Sequence, residues 1–239
     1  VDSTRTAITG ISWGGYLTCL AASLDNRFQA AATIYGCGHL DQSVPIGQQL
    51  AALPDHGAEW QQRFEPRDVL QRCQVPMLFV NGTNDSHFSV PMWQQSTTYS
   101  QATVQRSLRL RLAHSHHHGW QPPEIAQFIA QYTNMGEELP RLENTVFKDG
   151  TLQATVQAAS VHGHGSLLWT VDTGPWRQRV WQEAPAKDHS GIIKASLTPH
   201  ATAAVLNYAW GNQQGPQGHK AQCSSAVWLA EDSVSPHRP

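Results

Sequence analysis

Hydrophobic and polar positions change rhythm part-way along the chain. Up to about residue 136, short apolar runs alternate with stretches of helical period. Residues 6–11 form a short strand-like run. Over 14–24 the spacing predicts a helix with Leu17, Leu20, Ala21 and Leu24 on one face. Residues 28–35 and 76–80 read as buried strands, continuous in apolar character. Between them lies a polar stretch with helical pieces through Trp60 and Phe64. A helix over 90–100 is entered through Pro91. Residues 107–113 alternate Leu108, Leu110 and Leu112 with polar partners, a strand pattern. Pro122, Pro123 and Glu124 then open a helix to about Asn134, with Ile125, Phe128 and Ile129 facing in. This β-α order with short connections predicts a mostly parallel sheet of about four strands, flanked by helices.

Beyond Gly136 the helical period disappears. Alternating runs at 151–158, 166–171, 177–182, 191–197, 202–210 and 222–229 are separated by turn signals at 148–150, 172–175 and 211–218. About seven strands at this spacing predict a small antiparallel sandwich of the immunoglobulin or fibronectin type. The fold expected is therefore α/β over residues 1–138, followed by an all-β domain over 142–232, with the boundary near Leu139, Pro140 and Arg141.

Composition narrows the partners. The 239 residues are 40% hydrophobic and 14% charged, a globular composition, and the net charge of −2 carries no basic footprint for nucleic acid or a membrane surface. The 13 histidines predict a chain that turns cationic in mild acid. Cys19, Cys37, Cys73 and Cys223 are widely spaced, so neither a metal finger nor a disulfide framework is indicated. No apolar run reaches membrane-span length. No signal peptide is visible and the chain opens on Val1, so no compartment is assigned; a secreted or periplasmic location stays open.

The candidate chemistry begins at "TGISWGGY", which contains G-x-S-x-G between an expected strand and an expected helix. In that context Ser12 sits on a sharp strand-to-helix turn with its hydroxyl exposed above the sheet edge. Gly10, Gly14 and Gly15 would relieve crowding there, and the Trp13 N–H would serve as one oxyanion donor. The alternative for Ser12 is an ordinary capping serine. A serine nucleophile needs a base, and the base needs an orienting carboxylate. Asp85 in "VNGTNDSHF" and His114 in "LRLAHSHHHGW" each follow an expected strand, where parallel strands deliver residues to one edge. His116 competes as the base, with His117 and His118 close behind. A turn aspartate and a surface histidine are the plainer alternatives.

"GISWGGY", "VPMLFVNGTND" and "HSHHHGWQPPEIAQF" resemble the α/β-hydrolase superfamily, in its acetylxylan esterase-like and dienelactone hydrolase-like branch near the prolyl oligopeptidase group. "LLWTVDTGPWRQRVWQEAPA" and "ATAAVLNYAWGNQQG" resemble the small β-sandwich that follows the hydrolase domain in a bacterial subset. The resemblance implies Ser12 as nucleophile, Asp85 as acid, His114 as base, and no cofactor or metal. It implies a carboxylic-ester substrate, a small molecule or an acetylated polysaccharide. In this fold about four strands precede the nucleophile. The resemblance therefore implies the C-terminal part of a longer hydrolase, with one oxyanion donor missing and one sheet edge bare. A peptidase of the prolyl oligopeptidase type is the first rival, and a non-catalytic binding module using the sandwich is the second.

Other candidates have plain alternatives. Cys37 and Trp120 could line a substrate pocket, though a cysteine after a buried strand is more simply core. The 114–118 histidines, or His162 with His164, could bind metal, but no cysteine or carboxylate at ligand spacing supports this. Trp169, Trp176, Trp181, Trp210 and Trp228 could stack on sugars; sandwich core is the simpler expectation.

Overall fold

The computed structural model describes residues 2–157, 162–211 and 220–230. Its first part is a four-stranded, wholly parallel sheet of β1 (Ala7–Ile11), β2 (Ala30–Ile34), β3 (Met77–Gly82) and β4 (Val104–Arg109), in the order β1-β2-β3-β4. Every residue of the central β2 and β3 is buried, as expected for strands covered on both faces. The helices are α1 (Trp13–Leu24), α2 (Val44–Ala51), α3 (Pro54–Phe64), α4 (Pro66–Leu70), α5 (Val90–Ser96), α6 (His116–Gly119) and α7 (Pro123–Tyr132). Prolines stand at the start of α5 and α7, where a missing N–H costs nothing. Among the described residues no helix is long and apolar enough to cross a membrane.

Two expectations need correction here. The leucine face of α1 is not its inner face: Leu17 is 56% and Leu24 70% exposed, while Tyr16, Cys19 and Ala22 are buried. Gly15 brings the opposite face of the helix against the strand ends, so periodicity found the stripe but not its direction. The fourth strand runs over 104–109 and not 107–113, because Arg111 (φ 51°) turns the chain and leaves Leu110 exposed and Leu112 buried.

The second part holds two antiparallel sheets. One has the order β5-β6-β10-β9, from β5 (Arg141–Lys148), β6 (Thr151–Gln157), β9 (Lys187–His189) and β10 (Ile192–Ser196). The other has the order β12-β11-β7-β8, with β13 also on β11. It comprises β7 (Gly163–Thr170), β8 (Gln182–Pro185), β11 (Ala203–Trp210), β12 (Ala221–Ser224) and β13 (Trp228–Leu229). The expected strand at 177–182 is instead a 3-10 turn, Trp176–Gln178, followed by β8. There Arg179 folds back, its guanidinium 3.5 Å from the Trp176 ring and its Nε donating to the Gly174 carbonyl. Ala158, most of the 211–218 turn and residues 231–232 lie outside the described residues. Trp181 and Trp210 are buried and Trp169, Trp176 and Trp228 pack on the core, in line with the plainer expectation for the tryptophans. All four cysteines are free and buried.

The two parts meet along the free edge of β4. The Leu108 N–H donates to Ser224 Oγ (2.7 Å), and its carbonyl accepts from Asn207 Nδ2 and Gln222 Nε2, each at 3.1 Å. Side chains of β11 and β12 thus satisfy an edge that another strand could have paired. Beside them Arg109, 5% exposed, donates to Glu124 Oε1 (2.9 Å) and to the Lys220 carbonyl (2.8 Å), and Ser107 Oγ also donates to Glu124 Oε1. At the opposite edge β1 pairs only with β2 among the described residues.

Removing one partner of this buried pair leaves a charge without compensation. Glu124→Ala should destabilise the protein by about 3–5 kcal/mol in urea denaturation. Pairing it with Arg109→Met should recover most of that loss; a double variant as unstable as the single one would show that the pair is not the source.

Candidate active site

Ser12 occupies the turn between β1 and α1 with φ 57° and ψ −115°, a left-handed-side conformation that costs a non-glycine residue on the order of 1–3 kcal/mol. Backbone bonds enforce it. Ser12 N–H donates to the Ile34 carbonyl and Tyr16 N–H to the Ser12 carbonyl, both at 2.9 Å. Space permits this only where side chains are absent. A Cβ on Gly10 would collide with the Gly14 carbonyl, one on Gly15 would lie 2.8 Å from the Ile34 carbonyl, and one on Gly36 would strike the Ser12 carbonyl. Gly14 itself faces open space, so its expected part in relieving crowding is corrected: its carbonyl, not its missing side chain, is what matters.

Although Ser12 precedes a helix, its side chain makes no capping bond. Its Oγ lies 2.9 Å from His114 Nε2, and His114 Nδ1 lies 2.6 Å from Asp85 Oδ2. The Asp85 side chain is fully buried; Oδ1 accepts the backbone N–H groups of His87 and Phe88, both at 2.8 Å. A carboxylate so placed only accepts, which makes Nδ1 the donor of the imidazole and leaves Nε2 to accept from Ser12. The expected trio is thus brought together. His116, the competing base, is exposed at the start of α6, and His117 contacts Gln121. Cys37 is fully buried, and burial pushes its thiol well above the ordinary range, so it presents nothing to a substrate. Trp120 is exposed on the surface after α6.

Several site residues gave no sequence signal of their own. Tyr35 stacks on the His114 ring at 4.4 Å and donates its hydroxyl to the Ala113 carbonyl at 2.6 Å; burial pushes that phenol up to about 12. Phe88 stacks at 6.3 Å and His87 lies tilted at 4.8 Å. Tyr35 ends an apolar run with the pattern of a strand, and His87 and Phe88 follow Asp85 in "TNDSHF" with no spacing that marks them. Trp13, next to Ser12, meets Tyr16 and Trp60 edge-to-face, which makes the surface on that side aromatic. Ligating atoms of Asp85, His87 and His114 lie within 4.8 Å of one another, but the Asp85–His114 bond already uses two of them. His162 and His164 join no such group among the described residues.

The model of the prolyl oligopeptidase family matches residues 1–133, more than half of the chain. The chain belongs to the prolyl oligopeptidase family. The uncomplexed acylaminoacyl peptidase of Pyrococcus horikoshii is similar in structure, with a TM-score of 0.50 and 20% identity over 58% of this chain and 26% of its own. An acetyl xylan esterase from Paenibacillus sp. R4 gives 0.44 and 21% over 55% and 46%. A Mycobacterium tuberculosis puromycin-hydrolyzing peptidase gives 0.47 and 21% over 58% and 23%. This prolyl oligopeptidase-family chain spans less than half the length of each. No curated protein matches it.

The site makes different demands on two of its glycines, Gly36 and Gly14. Gly36→Ala should destabilise the protein by about 1–3 kcal/mol, since overpacked backbone must shift. Gly14→Ala should be neutral or stabilise the helix by up to about 1 kcal/mol. Equal effects of the two in thermal and urea denaturation would contradict the crowding assigned to Gly36.

Proposed function

We propose that Ser12, His114 and Asp85 form the catalytic triad of an acyl hydrolase whose substrates are carboxylic esters. The unbroken hydrogen-bonded path from Ser12 Oγ through the His114 ring to Asp85 carries this reading. In it, His114 Nε2 takes the serine proton as Oγ attacks the acyl carbon, and Asp85 stabilises the imidazolium that results. The Trp13 N–H, at the start of α1 where helix N–H groups lack internal acceptors, receives the developing oxyanion. Nε2 then returns the proton to the departing alcohol, and water repeats the cycle on the acyl-enzyme. Tyr35, Phe88 and His87 keep the imidazole in plane between its partners.

Acetyl esters, including those of polysaccharides, come from the sequence resemblance. Peptide cleavage is the second reading, and the family match favours it. We also infer a division into a hydrolase part, 1–138, and a sandwich, 142–232, of immunoglobulin or fibronectin type. The sheet orders β5-β6-β10-β9 and β12-β11-β7-β8 support this, since they follow the A-B-E-D and G-F-C pairings of that architecture.

Fluorophosphonate labelling of the protein tests the triad whatever the acyl group. Labelling should vanish in Ser12→Ala, and Asp85→Asn should slow turnover by about 10⁴-fold. A Ser12→Ala protein that labels like the parent sinks the assignment. Comparing a nitrophenyl acetate with aminoacyl and prolyl nitroanilides decides between ester and peptide.

A further inference from the structure

Asn84 lies between the end of β3 and the carboxylate of Asp85, and its side chain is turned to the β-rich part of the chain. Its Nδ2 donates towards the carbonyls of Arg179 (2.7 Å), Arg177 (3.2 Å) and Trp176 (3.4 Å). Its Oδ1 accepts from Thr83 Oγ1 (2.8 Å), and Thr83 Oγ1 in turn accepts the Arg111 N–H (3.0 Å). Only one orientation of the amide satisfies both sides. The NH2 group must face the carbonyls, which leaves the oxygen for the Thr83 hydroxyl. A chain of hydrogen bonds therefore runs from the segment between β7 and β8, through Asn84 and Thr83, to Arg111.

Both loops of the triad hang on this chain. Asp85 is the residue after Asn84, and its N–H returns to the Gly82 carbonyl (3.3 Å). Arg111, at φ 51°, makes the turn out of β4 that leads to His114 three residues later. The Thr83 N–H adds a bond to the Arg109 carbonyl (2.9 Å). The acid loop and the base loop are thus joined by backbone and by Thr83, apart from the Asp85–His114 bond itself. None of the hydrogen bonds of Asn84 among the described residues goes to a triad side chain, so whatever it does to the triad it does through these loops.

The segment that Asn84 grips is itself pinned. Buried Arg179 lies over the Trp176 ring and donates from Nε to the Gly174 carbonyl (2.9 Å). The Val180 N–H bonds Asp172 Oδ2 (2.7 Å), and Thr202 Oγ1, just before β11, donates to the Asp172 carbonyl (2.7 Å). Inside the turn, the N–H groups of Gln178 and Arg179 bond the carbonyls of Pro175 and Trp176. Three carbonyls converging on one amide make a contact that depends on backbone placement and not on the identity of the exposed side chains. We infer that Asn84 is a positioning residue, through which segment 172–180 of the β-rich part sets the placement of Asp85 against His114. The β-rich part then contributes to turnover and not to stability alone. The inference rests on the triad proposed above.

Hydrolysis of para-nitrophenyl acetate and the rate of fluorophosphonate labelling read the effect. Asn84→Ala should lower kcat about 10- to 100-fold with KM within about twofold, and slow labelling in proportion, because a small displacement of reacting groups costs that much. Arg177→Ala removes an exposed side chain and keeps the carbonyl, so it should match the parent. Asn84→Asp has the same shape but sets a carboxylate against three carbonyls. Protonation gives that carboxyl a donor again, so its kcat relative to the parent should climb as pH falls from about 8 to about 6, whereas the same ratio for Asn84→Ala stays level. A purely structural role would lower Tm without this pH-dependent recovery. Unchanged kcat in either folded variant, or a level ratio in Asn84→Asp, overturns the inference while Ser12-dependent labelling of the parent keeps the triad. If Asn84→Ala does not fold, the ratio in Asn84→Asp decides. A parent without Ser12-dependent labelling is failure of the triad instead. The bridge is then judged by amide hydrogen exchange: faster exchange over 85–88 and 111–114 in Asn84→Asp than in the parent supports it, and unchanged exchange overturns it.

Discussion

Everything at the site depends on how closely α1 approaches the ends of β1 and β2. Three positions without side chains, Gly10, Gly15 and Gly36, allow backbone to rest on backbone there. The approach draws the Ser12 N–H onto the Ile34 carbonyl and the Tyr16 N–H onto the Ser12 carbonyl. Between those two bonds the serine has no room for an ordinary conformation. Its positive φ is a local cost on the order of 1–3 kcal/mol, offset by burial of Tyr16, Cys19 and Ala22 against the sheet. The same geometry turns Oγ away from the helix N-terminus, where a serine would ordinarily cap, and towards His114.

The imidazole is held by a different means. No regular element carries it; it lies in the loop between β4 and α6. Its orientation comes from its neighbours. Tyr35, itself at φ 64°, fixes the loop by bonding the carbonyl of the residue before His114 and stacks on the ring. Asp85 engages the other nitrogen and has its second oxygen occupied by two backbone N–H groups, so its carboxylate cannot rotate without breaking three bonds. A strained strand-to-helix turn and a packed aromatic stack thus meet at one hydrogen bond of 2.9 Å.

The sequence made some of this legible and hid the rest, for physical reasons. The order of strands and helices up to residue 132 could be read because each buried strand is a continuous apolar run and each long helix opens at a glycine or proline boundary. Ser12, Asp85 and His114 could be found because each follows an expected strand, a buried apolar run before Asp85, a short strand-like run before Ser12 and an alternating one before His114. The direction of α1 could not be: its leucine stripe is the more hydrophobic face, and what turns that stripe outward is close contact at Gly15, a tertiary effect that periodicity does not encode. The end of β4 was misplaced because Leu108, Leu110 and Leu112 keep alternating through a turn that Arg111 makes at positive φ. Tyr35 and Asn84 were invisible as site residues because their roles lie in contacts with residues 78 and 92 to 95 positions away.

Those distant contacts bear on what the second part of the chain contributes. An appended module would touch its neighbour through surface residues and leave the sheet edge to solvent or to another strand. Here β11 and β12 supply side chains that satisfy both backbone groups of Leu108, and the Lys220 carbonyl accepts from the buried Arg109. Asn84 grips the segment before β8 next to the triad carboxylate. Loosening the antiparallel sheets would leave Leu108 and Arg109 with buried polar groups unpaired, and each such group costs about 1–3 kcal/mol. It would also release the loop that holds Asp85. The stability of the β-rich part and the geometry around His114 are therefore one property of the molecule.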